Sequence, residues 1–127
     1  MILTEAVSYE ELVSRLSRDD RIALVACNMC VRINDTYNEE KMRELAERLR
    51  SDGFSVVEGF LVTMACFELY LPALRFSREV DTVVVLSCGA GAANISRNLR
   101  GMKVIRAAYG TGLEAGKEML KVREVEE

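Results

Sequence analysis

Apolar positions along the chain follow two rhythms, unbroken short runs and helical spacings, and the two alternate. The run at 21–26, in which Ile22–Ala26 has no polar residue, and the run at 82–87 read as strands buried on both faces, as in a parallel sheet. Between them, Met42, Leu45, Ala46 and Leu49 fall at i, i+3, i+4 and i+7, with acids and bases on the other face. This spacing predicts a helix over 39–51, stopped by Asp52-Gly53. A capping box at Ser8 and Glu11, followed by Leu12, Val13 and Leu16, predicts a helix over 9–18. A second box is offered by Thr36 and Glu39. Further strands are expected at 54–62 and 102–108. A short helix should run from Pro72 to near Arg78, and another over 91–99, ended by Gly101. From Thr111 onward the pattern predicts a loop and a last helix with a solvated Lys/Glu face.

Strands alternating with helices point to the α/β class. The expected architecture is an open, mainly parallel sheet of about four strands with helices on both faces, Rossmann- or flavodoxin-like. No internal repeat, low-complexity segment or linker divides the sequence, so one domain over 1–127 is expected.

Composition narrows the chemistry. No apolar run approaches the roughly 20 residues that a membrane helix needs. The first residues carry acids where an export signal needs bases, so a cytoplasmic chain with reduced thiols is expected. A net charge of −3, without a basic run interleaved with aromatics, argues against nucleic acid as a partner. The chain contains no histidine, which removes Ser-His and Cys-His nucleophiles and every imidazole metal ligand. No catalytic residue is assigned.

The cysteines then stand out. Cys27 and Cys30 follow the first predicted parallel strand, Cys66 the second and Cys88 the third, and the chain has only these four. In an open parallel sheet the carboxyl ends of the strands share one edge, where such folds bind ligands. With strands about 4.8 Å apart and the first strand between the other two, the ends lie within roughly 10 Å of one another. Singly, each cysteine reads as a small buried hydrophobe. Together they read as a shared site. Packed thiolates repel one another unless a cation joins them, so a metal centre is the expected occupant. Cys₄ is a ligand set for Zn²⁺ and for iron–sulfur clusters alike. The spread-out ligands and the apolar residues Met29, Met64, Ala65 and Phe67 suit a [4Fe–4S] cluster better, with Zn²⁺ as the alternative.

Gly89, Ala90 and Gly91 are the candidate cofactor-binding residues. A glycine-rich turn opening a helix can cradle a phosphate. The dinucleotide fingerprint is incomplete, however, because Asn94 stands where Gly or Ala belongs. Small residues here also let the helix approach the sheet and the centre closely. Glu58, inside an apolar strand, marks a sheet edge. Tyr70 and Tyr109, near strand ends, are expected to pack in the core.

The Cys-x-x-Cys after a strand, the helix "EEKMRELAERLRSDGFSVV", the lone Cys66, "DTVVVLSCGAGAANIS" and "GMKVIRAAYGTGLEAG" together resemble the methylenetetrahydrofolate reductase C-terminal-type cysteine-rich domain over residues 21–116. Domains of this type occur in the MetV-like small subunit beside a flavin-bearing reductase. Asn28 stands where that family often has Gly, and Tyr37-Asn38 where it has a Gly-Gly pair. The resemblance implies that Cys27, Cys30, Cys66 and Cys88 are iron–sulfur or zinc ligands. It also implies electron transfer to, or support of, a flavin-dependent reductase subunit in one-carbon metabolism. A homo-oligomer is compatible with it. Two other readings stand beside it. One is a Cys₄ zinc docking module. The other is a thiol oxidoreductase using Cys27 and Cys30, disfavoured because "VRIND" is a poor helix start.

Overall fold

The computed structural model describes residues 2–99, 101–115 and 118–120. In chain order the elements are β1 (Ile2–Ala6), α1 (Tyr9–Ser14), β2 (Arg21–Cys27), α2 (Cys30–Ile33), α3 (Glu39–Ser51) and β3 (Ser55–Val62). A 3-10 helix (Glu68–Ala73), β4 (Thr82–Leu86), α4 (Gly89–Asn98), β5 (Lys103–Arg106), β6 (Ala108–Ala115) and β7 (Glu118–Leu120) follow. The protein is mixed α/β, with a four-stranded sheet in the order β3-β2-β4-β5 whose neighbours all run parallel. Beside it is an antiparallel sheet, β1-β6-β7.

The unbroken apolar runs become the central strands. Ile22 through Ala26 and Val83 through Leu86 are each no more than 1 % exposed, because both faces of these strands are covered. α3 packs on β2 and β3, and α4 on β4 and β5. At the amino ends of the strands, the Asp81 carboxylate accepts from the Arg21 backbone N–H at 2.9 Å and from the Thr82 hydroxyl at 2.8 Å. These bonds, that from Arg21 first, hold its carboxyl below the usual range. They also fasten the start of β2 to that of β4, so the polar ties of this edge are spent on register.

Helix ends follow their capping residues. Ser8 caps α1 through the Glu11 N–H, but Glu11 pairs with Arg15 at 3.0 Å, and the helix stops at Ser14 rather than near 18. For α3 the cap is Asn38, whose Oδ1 accepts from Lys41 N at 2.8 Å. The Thr36 hydroxyl instead meets the Thr4 hydroxyl at 2.8 Å. Gly53 takes φ +90 just after α3, as the predicted stop requires. The helix expected from Pro72 begins earlier, as the 3-10 turn at Glu68–Ala73 with Pro72 inside it.

Three features depart more sharply from the pattern. β1 was not expected, and β6 and β7 occupy part of the region read as loop and last helix. The pairing Ile2↔Leu113 through Ala6↔Ala108 supplies from a distance what the local sequence lacks. Residues 121–127 of that predicted helix lie outside the described residues. The third is α2: "VRIND" does continue from Cys30 into one helical turn, ending at Ile33. Glu58 lies on the edge strand β3, as expected, and its Oε1 accepts from Ser77 N at 2.8 Å.

The antiparallel sheet grows from the carboxyl end of β5. Ala107 N–H donates to Val85 O at 2.9 Å, and its carbonyl accepts from Val7 N and from the Tyr37 hydroxyl, at 2.9 and 3.0 Å. Asn34, after α2, donates to Ile2 O at 3.0 Å. The second sheet therefore flanks the end of the parallel sheet from which the cysteine segments emerge. Among the described residues, no helix is long and apolar enough to cross a membrane.

Candidate functional site

Cys27 is the last residue of β2 and is 7 % exposed. Its Sγ accepts a hydrogen bond from the Ala65 backbone N–H at 3.4 Å, and the Met29 N–H is a second donor to it. Burial pushes the thiol above its ordinary pKa; the two N–H groups pull the other way, and neighbouring Cys66 and Cys30 push it up again. The order of these influences follows from position. The thiol lies inside the fold, where desolvation outweighs two weak N–H···S bonds.

Cys30 opens α2 and is half-buried; Cys66 lies exposed in the turn between β3 and the 3-10 helix. Cys88 caps the amino end of α4 and is 5 % exposed. The four cysteine segments thus emerge at the carboxyl end of adjoining strands, and Cys66 and Cys30 are each near enough to Cys27 to bear on its thiol. They share an edge rather than a coordination shell. Among the described residues, no group of three or more cysteine, histidine, aspartate or glutamate side chains is arranged to hold a metal ion as it stands. None of the four cysteines is in a disulfide.

The donor chemistry nevertheless suits a soft metal. Four thiols, with backbone N–H groups already aimed at one sulfur, are the partners a thiolate centre uses. The thiols differ in exposure: Cys27 and Cys88 are buried, Cys30 is half-buried and Cys66 is exposed.

Gly89, Ala90 and Gly91 form the first turn of α4. Gly91 is buried, and a Cβ there would come within 2.5 Å of Ser87 Oγ and 2.9 Å of Ala65 Cβ. Close approach of the helix to the sheet accounts for this glycine without any bound phosphate. Tyr70 packs its ring on Phe67, centroids 5.7 Å apart, and Tyr109 is exposed, not core, donating to Glu5 Oε2 at 3.0 Å.

Sequence reasoning missed Asn94. It is 1 % exposed on α4, and its Nδ2 donates to Ala65 O at 2.9 Å, reaching the segment that carries Cys66. The available signal was an amide in line with Gly91 and Ile95 on the face of a helix that must bury small and apolar residues.

No protein-family model matches this chain, and no curated protein or solved structure matches it either.

Proposed function

We propose that the carboxyl edge of the parallel sheet is a thiolate metal site, and that the chain is an electron-transfer or accessory subunit carrying one iron–sulfur cluster. Cys27, Cys30, Cys66 and Cys88 would hold the centre, a [4Fe–4S] cluster in first place, which supplies one-electron chemistry when bound. The observation that carries this reading is the meeting of four cysteine segments at one sheet edge. The doubly wound, Rossmann-like arrangement with helices on both faces belongs to the same proposal. It is supported by the order β3-β2-β4-β5, which puts the first parallel strand inside the sheet.

The partner would be a flavin-dependent reductase subunit of one-carbon metabolism, as the resemblance to the methylenetetrahydrofolate reductase C-terminal-type domain implies. The rim of the edge supports an accessory role. Met29, Ile33, Phe67 and Leu69, all on the cysteine-bearing segments, are 37, 60, 49 and 77 % exposed. Apolar side chains gathered beside a redox site suit coverage by another protein.

Iron, zinc and acid-labile sulfide are to be measured on protein made and kept without oxygen. About four iron and four sulfide per chain is the expected result. One zinc without sulfide replaces electron transfer by a Cys₄ docking module. Four titratable thiols and no metal overturn the metal site and leave thiol chemistry at Cys27 and Cys30.

A further inference from the structure

Ala65 is a small residue held on every side. It is 0 % exposed, while Cys66 next to it is exposed. Its N–H donates to Cys27 Sγ, its carbonyl accepts from Asn94 Nδ2, and its Cβ faces the space that Gly91 leaves open. Asn94 is itself fixed. The Asn98 amide donates to Asn94 Oδ1 at 3.2 Å and to Asn94 O at 2.8 Å, which turns the Asn94 N–H group toward Ala65. An apolar residue would fill this buried place on α4 at lower desolvation cost. The amide earns its position by reaching across to another segment.

We infer that Asn94 is a positioning residue: through the Ala65 carbonyl it clamps the Cys66-bearing segment onto the Cys27 sulfur. The connection runs from the helix that Cys88 caps, through the N–H and C=O of one residue, to the cysteine ending β2. Its importance for a bound centre rests on the thiolate reading above, because hydrogen bonds to a ligand sulfur tune such a centre and its retention. The clamp itself exists in the metal-free chain.

Asn94→Asp tests it, since the carboxylate keeps the size of the side chain and cannot donate to a carbonyl. Alkylation of each cysteine is followed by mass spectrometry on the metal-free chain, at fixed pH. Cys27 should react about fivefold faster than in the unaltered protein, the effect of one lost buried hydrogen bond on local opening. Cys66 and Cys88 should keep their rates. Asn98→Ala, at an exposed position that leaves the fold intact, should raise Cys27 alone by about twofold, a smaller loss of the same bond. An unchanged Cys27, or Cys27 and Cys88 rising together, overturns the clamp. On metal-loaded protein, Asn94→Asp should lose metal to a chelator about tenfold faster. Metal loading with an unaltered Cys27 rate in both variants removes the inference and spares the proposed function. Selective Cys27 opening in a chain that takes no metal does the reverse.

Discussion

Cys27 ends the central strand β2, Cys88 lies just past the central strand β4, and both are almost fully covered, whereas Cys66 follows the edge strand β3 and lies in solvent. The difference begins in the strands. Among the described residues, β2 and β4 each have a parallel neighbour on both sides, while β3 has only β2. A central strand delivers its last residue into packed surroundings; an edge strand releases the chain into a turn, here one with exposed Phe67 and Leu69. One half of the edge is packed and the other half lies open. Such a division lets a site keep precise geometry on one side and admit a bulky group on the other.

Substitutions in the two halves should separate widely. Leu24→Ala, in β2 at 1 % exposure, should cost about 3 kcal/mol in denaturant unfolding, because a buried methyl cluster leaves a cavity. Leu69→Ala, at 77 % exposure, should stay within about 0.5 kcal/mol. Equal costs would show that the open half is packed after all. Gly91→Ala comes next, at about 2 kcal/mol, since the methyl meets Ser87 and Ala65 where neither has room to retreat. A neutral result there would mean that α4 can lift from the sheet. A reactivity order in the metal-free chain follows. Cys66 should alkylate at least about tenfold faster than Cys27 or Cys88 at pH 8, through exposure alone. The raised pKa of Cys27 acts in the same direction, keeping that thiol protonated as pH climbs past its ordinary value.

The parallel sheet was legible because its signals are local. Val83 through Leu86 or Ile22 through Ala26 can be buried on both faces only as central strands, and α3 shows its apolar stripe over the observed span, Glu39–Ser51. The antiparallel sheet was not legible. "ILTEA" is five residues of mixed character, and "AYGTGLEA" contains two glycines that read as turns; each becomes a strand by pairing with the other. At the candidate site, spacing put the cysteines at strand ends correctly. It could not show that Cys66 stands outside the packed surface, nor that Asn94 reaches Ala65, because both depend on how the chain between β3 and β4 folds back. α2 was misjudged for a related reason: no side chain caps it, and contact with β1 helps hold it.

The pairing of β1 with β6 also sets a schedule for the newborn chain. β1 leaves the ribosome well ahead of its described partner, β6, which begins only at Ala108. At about 5–20 residues per second, the ladder groups of β1 wait on the order of ten seconds for that partner. The four parallel strands are complete at Arg106, before β6 has been made. During this interval the cysteine edge can take shape while the strand meant to flank it is still open to neighbouring chains. Crowded synthesis, rather than the finished protein, is where this fold is most exposed to strand-to-strand association.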